Sequence, residues 1–311
     1  MLTVIRVTPD AYASVFPTTS HVYNSVKFSE LNRNKAEEVI YLLLNDEKGK
    51  PQFGITLGLR ENMLLSPFSA PFGGVETVKQ RKSVAHWIEA AECVKEYAAV
   101  RNFALRIALP PSFYSPTDAL DAQSLAFSST GLTNVPEYNY HFPHNFPDLS
   151  SSSRNKLTTA KKQNFDIKIT DEVDRAYAVI RENREERGYP LRMTLEQVKE
   201  TVKVIKADFW LVSLGDEDVA AAQIYHVAPG VVQVIYWGDK RRFSAMRPMN
   251  LLAWEVARHY AEKGILVDVG PSSSDGVPSY GLCDFKENIG CVLSPKNVFT
   301  FLPAAPDNLS R

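Results

Sequence analysis

The most informative part of the sequence lies near the C-terminus and reads Ile265-Leu-Val-Asp-Val269, Gly270-Pro-Ser272 and Tyr280-Gly-Leu-Cys-Asp-Phe-Lys-Glu-Asn-Ile-Gly290. The first segment is an apolar run, which is typical of a buried strand. The third predicts a helix whose core-facing side carries Cys283 between Leu282 and Phe285. An apolar strand at residues 297–302 follows it. The end of the chain therefore alternates strand, helix and strand.

Outward from this stretch, one order of elements occurs twice along the chain. Apolar patterning predicts three strands, a helix and a further strand in each half. In the first half the predicted elements are 39–44, 52–59, 63–66, the helix 77–100, and 103–109. In the second half they are 209–214, 219–226, 231–237, a helix that begins at Pro248, and 265–269. The chain is therefore predicted to be an α/β protein with mixed α+β sheets, built from two copies of one unit.

Two further helices precede the second copy. Thr170 is predicted to cap a helix at 171–187, and Thr194 with Gln197 to form the capping box of the next helix. Proline and serine concentrate at residues 143–153, where apolar periodicity lapses. We expect an N-terminal domain at 1–148 and a C-terminal domain at 149–311, whose residues 304–311 form a frayed tail.

The C-terminal stretch resembles a signature of Fem-type and related acyltransferases of the GNAT superfamily. The residues that carry the resemblance are the pairs Gly281-Leu282, Phe285-Lys286 and Ile289-Gly290. The resemblance implies two tandem GNAT-like acyl-CoA N-acyltransferase units. It further implies that the C-terminal unit binds the acyl donor and that the N-terminal unit is degenerate.

The resemblance also points to a donor site at the turn Asp239-Lys-Arg-Arg-Phe-Ser-Ala-Met-Arg-Pro248. In the superfamily this turn holds the coenzyme A pyrophosphate, because a helix N-terminus presents unpaired N–H groups and a partial positive charge. The turn lacks the glycines of the family motif. A solvated helix start is the alternative reading of its cations. The residues expected to bind acetyl-CoA or another acyl-CoA are Arg241, Arg242, Ser244, Arg247 and Lys286.

Three residues are candidates for the chemistry of transfer, which needs a neutral amine, a stabilised oxyanion and a proton for the leaving group. Tyr280 is where GNAT enzymes often carry an acid tyrosine. A backbone N–H near Tyr236 is a candidate oxyanion donor. Asp268 lies inside an apolar strand and is a candidate base or substrate anchor, or else a strand-end carboxylate that caps the loop at 272–274.

Composition excludes several other classes of protein. The net charge of −1 argues against a duplex-DNA binder. No apolar run approaches the roughly 20 residues that span a bilayer, so no membrane insertion is expected. Three scattered cysteines favour a reducing, cytoplasmic location. His141 and His144 lack a third ligand, so no metal is expected.

The sequence therefore predicts an N-acyltransferase that moves an acyl group, most simply acetyl, from a coenzyme A thioester to a small-molecule or peptide amine acceptor. One alternative is a Fem-type transferase that uses aminoacyl-tRNA and a cell-wall precursor. The basic stretch Arg154, Lys156, Lys161 and Lys162 would suit such ligands, although such runs more often form a solvated helix face. The other alternative is a catalytically silent binding protein on the same scaffold.

Overall fold

A computed structural model describes residues 1–79, 82–144 and 149–303. Within these ranges the strands are β1 Thr3–Val7, β2 Glu38–Asn45, β3 Pro51–Arg60, β4 Met63–Ser66, β5 Glu76–Thr77, β6 Ala104–Ala108, β7 Thr133–Asn134, β8 Glu137–Phe142, β9 Phe165–Thr170, β10 Ala207–Leu214, β11 Glu217–Ala228, β12 Val231–Asp239, β13 Leu266–Pro271, β14 Ser273–Ser274, β15 Val277–Pro278, β16 Val292–Lys296 and β17 Val298–Phe301. The helices are α1 Pro9–Val15, α2 Val26–Leu31, α3 Val84–Ala99, α4 Ala119–Ser129, α5 Ser151–Lys161, α6 Val173–Arg187, α7 Leu195–Thr201, α8 Pro248–Ala261 and α9 Tyr280–Asn288.

The chain forms two compact units, each built on a mixed sheet. The first unit comprises Met1–Glu137 and Pro295–Arg311, and the second comprises Tyr138–Ser294. The first sheet has the order β1-β2-β3-β4-β6-β17-β7, with β5 beside β3. The second has the order β16-β8-β13-β12-β11-β10-β9. The mixed α/β fold and the repeated element order predicted from the sequence are therefore confirmed.

These units differ from the predicted domain ranges 1–148 and 149–311. The reason is strand pairing: β17 lies between β6 and β7 in the first sheet, and β8 lies between β13 and β16 in the second. The last strand of each repeat thus belongs to the sheet of the other repeat. Residues 145–148, at the expected boundary, and the expected tail at 304–311 lie outside the described residues.

Helix starts follow local capping more closely than apolar periodicity. The helix predicted at 77–100 begins at Val84, because the Ser83 hydroxyl accepts the His86 N–H. Thr170 ends strand β9 instead of capping α6, and its hydroxyl accepts the Glu172 N–H. The capping box of Thr194 and Gln197 is confirmed. The alternating segment Phe165–Thr170 is an edge strand that the sequence prediction missed.

In the second unit, helices cover both faces of the sheet. Phe209 and Leu211 pack in a cluster with α6 and α7 residues. Trp210 and Val212 pack in a separate cluster with α8 residues. Successive side chains of a strand point to opposite faces, so α6 and α8 lie on opposite faces. Helix α5 joins the α8 side through contacts around Leu251.

Within 1–79, 82–144 and 149–303, no helix is long and apolar enough to cross a membrane. The same residues contain no group of three or more His, Cys, Asp or Glu side chains placed to hold a metal ion.

Candidate functional site

Strands β12 and β13 of the second unit run parallel and then diverge. Their pairing runs from Val231 opposite Leu266 to Gln233 opposite Asp268. Strand β12 continues to Asp239. In the described part of the chain, its residues after Gln233 pair with β11 and not with β13. A gap therefore opens beside the last six residues of β12, at the carboxyl end of the parallel pair, which is where open α/β sheets commonly bind ligands.

Asp268 ties three strands together at the point of divergence. Its fully buried carboxylate accepts hydrogen bonds from Gln233 Nε2 on β12 at 2.7 Å, Asn139 Nδ2 on β8 at 2.8 Å and the Gly270 N–H at 2.9 Å. A buried charge without partners would destabilise the fold by several kcal/mol, and these donors offset that cost. The structure therefore places Asp268 as a strand-positioning residue.

Strand β12 carries a β-bulge beside the gap. Its register with β11 shifts, because Gln223 pairs with Tyr236 whereas Ile224 pairs with Val234. Ile235 is the extra residue of the bulge. Bulges re-aim the backbone next to ligand sites, and this bulge lies beside Tyr236, whose backbone N–H is the predicted oxyanion donor.

A cavity of about 600 Å³ occupies this region of the second unit. Its volume lies within the range of ordinary ligand sites, roughly 300–1,000 Å³. The lining residues come mainly from α5, α6, the end of β12, the turn before α8, the first turn of α8, and α9. Its apolar wall includes Trp237, Met249, Leu282 and Phe285.

Cations dominate the charge of the cavity wall. Lys156, Arg184, Arg187 and Arg247 line it, together with one carboxylate, that of Asp239. Of these four cations, Arg187 forms an ion pair with a carboxylate among the described residues. Its Nη2 lies 2.9 Å from Asp239 Oδ1. The cavity therefore concentrates positive charge in a chain that is nearly neutral overall, and it favours an anionic ligand.

The end of β12 is fixed closely against α6. Asn183 Nδ2 donates to the Asp239 carbonyl at 2.6 Å, and Ser244 Oγ donates to Asp239 Oδ2 at 2.8 Å. A Cβ atom at Gly238 would lie 2.3 Å from the Asn183 side chain. Glycine is required here because the helix and the strand approach so closely.

Two cations expected to bind the donor lie on the outer side of the turn. Arg242 forms ion pairs with Glu182 and Glu217. The backbone N–H of Arg241 donates to Glu186 Oε2 at 2.8 Å. Neither residue lines the cavity. Ser244 and Arg247 do, and Arg247 has a left-handed backbone with φ 65° immediately before Pro248, the first residue of α8.

The remaining predicted residues occupy three different environments. Lys286 is buried, and its Nζ donates to the carbonyls of Gly270 at 2.7 Å and Pro271 at 3.0 Å, which fixes the loop after β13. Tyr280 is 76% exposed and stands between two lining residues, Ser279 and Gly281. The Tyr236 ring packs toward α6, and burial raises the pKa of its hydroxyl.

Sequence reasoning missed most of the cavity's charge. Arg184, Arg187 and Asp239 were not among the candidates, and Lys156 was considered only as part of a basic stretch. These residues come from separate elements that only the folded sheet brings together. The available signal was the α5 sequence, which has basic residues and no acidic one.

Comparison with known proteins identifies the fold. Residues 151–286 match the family model described as acetyltransferase (GNAT) domain. No curated protein matches the chain at a significant level. The chain is similar to the solved structure of FemX, with 13% identity over 96% of this chain and 97% of that chain and a TM-score of 0.65.

Two further solved structures are similar to this chain along nearly its whole length, and one of them is a tandem GNAT protein. L-PGS from Bacillus licheniformis is 10% identical over 97% of this chain and 94% of that chain, with a TM-score of 0.60. A tandem GNAT protein from the clavulanic acid biosynthesis pathway is 10% identical over 99% and 100%, with a TM-score of 0.52. The resemblance to tandem GNAT proteins of the Fem-like branch, predicted from the sequence, is confirmed.

Proposed function

We propose that this chain, an acyltransferase with the tandem GNAT fold, transfers an acyl group from a coenzyme A thioester to an amine. The observation that carries the proposal is the cavity beside the diverging end of β12, lined by four cations and one carboxylate. An acyl-CoA is a polyanion with an apolar reactive end. The cavity offers both positive charge and an apolar wall to such a donor.

The α8 side of the cavity fits a diphosphate. Arg247 and Lys156 line it, and within the described part of the chain neither cationic group has a hydrogen-bond or ion-pair partner. The first turn of α8 adds the partial positive charge of a helix N-terminus. We assign the donor phosphates to this side. Arg241 and Arg242 are left out of the assignment because neither lines the cavity, and Lys286 is left out because its Nζ donates to the carbonyls of Gly270 and Pro271.

The transfer step follows from this placement. The neutral amine attacks the thioester carbonyl and forms the C–N bond, and the tetrahedral oxyanion then collapses as the C–S bond breaks. The thiolate accepts one proton from the acid, and the amine nitrogen releases one proton to solvent, from which the acid is reprotonated. We assign the oxyanion to a backbone N–H of the bulge near Tyr236. Tyr280 is the proposed acid, since it lies between two lining residues, and Asp268 acts through the strands that it positions.

The test is a transfer assay with acetyl-CoA and a panel of amines, in which coenzyme A release and the acylated product are both measured. We expect turnover by the native chain and a kcat about 10- to 100-fold lower for Tyr280→Phe. Tyr138→Phe, a half-exposed tyrosine outside the cavity lining, is the matched control. Normal turnover by Tyr280→Phe would remove the acid assignment, and no product with any amine would contradict a coenzyme A donor.

A second candidate donor is aminoacyl-tRNA, with a cell-wall precursor as acceptor. The observation that favours it is helix α5, which carries Arg154, Lys156 and Lys161 and no acidic residue, and whose Lys156 lines the cavity. The assay is transfer from tRNA charged with radioactive amino acids, with a nuclease-treated control. Transfer from charged tRNA, and none from acetyl-CoA, would replace the first proposal. The cytoplasmic location stays a prediction.

A further inference from the structure

The cavity of the second unit reaches both faces of the sheet. Arg184 and Arg187 project into it from α6, whereas Arg247 precedes α8 and Lys156 lies on α5, on the α8 side. The gap beside β12 joins the two sides. In agreement, Tyr236 packs with the α6 cluster and Trp237 with the α8 cluster. Positive charge therefore stands at both ends of one cavity.

The two ends differ in net charge. On the α6 side, the Asp239 carboxylate neutralises Arg187, which leaves the single charge of Arg184. On the α8 side, Lys156 and Arg247 bring two charges and the helix N-terminus adds to them. The α8 side therefore suits a diphosphate, whereas the α6 side suits a monoanion.

Arg184 is held ready for such a ligand. Its guanidinium lies 5.2 Å from the Tyr236 ring centroid and 5.9 Å from that of Tyr189. Its Nε is buried and lacks a hydrogen-bond partner within the described part of the chain. Burial lowers the pKa of Arg184, although a guanidinium stays charged at neutral pH. A buried charged donor without a partner is costly, and a carboxylate satisfies its planar fork in a bidentate manner.

We infer that Arg184 binds a carboxylate of the acyl acceptor, so that the acceptor is an amine that also carries a carboxylate, such as an amino acid or a short peptide. This inference rests on the proposed function. The donor enters from the α8 side and the acceptor from the α6 side, and they meet at the gap beside β12. Arg184 acts as a specificity-determining residue and takes no part in proton transfer.

The experiment compares matched acceptors that differ only in this group. Dipeptides with a free carboxylate and their C-terminal amides are assayed with acetyl-CoA, and kcat and KM are determined for each. We expect the free acids to be preferred by about 10- to 100-fold in kcat/KM, mainly through KM, as for a hydrogen bond between charged groups. Arg184→Gln removes this preference and leaves the KM for acetyl-CoA unchanged.

Two variants serve as controls. Arg181→Gln changes an exposed arginine of the same helix, which pairs with Glu185, and keeps the preference. Arg184→Lys keeps the charge but loses the planar fork, and restores the preference only in part. Transfer with equal kcat/KM for acids and amides overturns the inference and leaves the proposed function standing. No transfer from acetyl-CoA to any amine overturns both.

Discussion

The two units share an element order but differ at one pair of parallel strands. In the first unit, β4 and β6 pair along the whole of β4, from Met63 opposite Ala104 to Ser66 opposite Ile107. In the second unit, β12 runs six residues past its last partner on β13. The gap that houses the cavity therefore depends on the length of one strand. A repeated fold does not by itself repeat a site.

The segment after β4 closes the corresponding place in the first unit. The Gly73 N–H donates to the Ala108 carbonyl at 2.8 Å, and the Gly74 N–H donates to Ser66 Oγ at 3.1 Å. A Cβ atom at Gly73 would lie 2.6 Å from Ser66 Oγ. Backbone thus occupies the end of the β4 and β6 pair. This supports the proposal that the N-terminal unit is degenerate.

Filling the cavity of the second unit should have the largest effect, because the described residues of the first unit leave no corresponding gap at its parallel strand pair. A Cβ atom at Gly281 would meet no atom within 4 Å, and Gly281 lines the cavity. Gly281→Trp should weaken acetyl-CoA binding at least about 100-fold, or about 2.7 kcal/mol, with a change in unfolding free energy within about 0.5 kcal/mol. Calorimetry and denaturant unfolding measure the two quantities.

Gly281→Ala is the matched control for that change. It should keep donor binding and stabilise the fold by roughly 0.5–1 kcal/mol, because alanine is the better helix residue. Undiminished binding by Gly281→Trp would place the donor elsewhere.

A pair of glycine substitutions tests the close packing of each unit separately. Gly238→Ala would press on Asn183, and Gly73→Ala would press on Ser66. Each should lower the unfolding free energy by about 1–3 kcal/mol, as overpacked sites do. Only Gly238→Ala should also weaken donor binding, because only Gly238 lines the cavity. Equal loss of binding in both variants would mean that the distinction between the units fails.

The smallest expected effect is a loss of stability in the second unit that leaves donor binding unchanged. Burial raises the pKa of Asp208, but hydrogen bonds from His226 and Tyr260 outweigh it, and the net pKa lies below its ordinary value. Such a carboxylate stabilises the fold above the unfolded-state pKa, about 3.9, and this contribution is lost as the pH falls through the folded-state pKa. Asp208→Asn should therefore cost roughly 1 kcal/mol at pH 7 and progressively less in acid.

Unfolding titrations between pH 7 and pH 3 would measure that difference. A gap between native and Asp208→Asn stability that widened in acid would contradict the sign. Acetyl-CoA binding at pH 7 should be unchanged by the substitution, because Asp208 is outside the cavity lining.

The sequence was sufficient where local chemistry decides structure. The capping box at Thr194 and the strand pattern of the second unit follow from residues close together in the chain. The predicted start of α3, at residue 77, was wrong. The helix begins at Val84, where the Ser83 side chain caps it, and the periodicity of the apolar residues does not reveal that cap. The edge strand Phe165–Thr170 alternates polar and apolar residues, and its last residue was mistaken for a helix cap.

The site was harder to predict because it depends on where distant side chains meet. Arg242 stands in the expected turn, yet its neighbours Glu182 and Glu217, from α6 and the start of β11, neutralise it on the outer side. Lys156 and Arg184 are far from the turn in sequence and line the cavity. Asp268 is a strand-positioning residue because three donors surround it, which a single sequence does not reveal.

Calorimetric titration of the full chain with acetyl-CoA measures whether the cations on the α8 side of the second unit bind the donor. We predict micromolar binding by the native chain and by Arg242→Gln, and at least about tenfold weaker binding by the Lys156→Gln, Arg247→Gln double variant, a loss of about 1.4 kcal/mol. No binding by the native chain, or equal binding by all three proteins, would contradict the account.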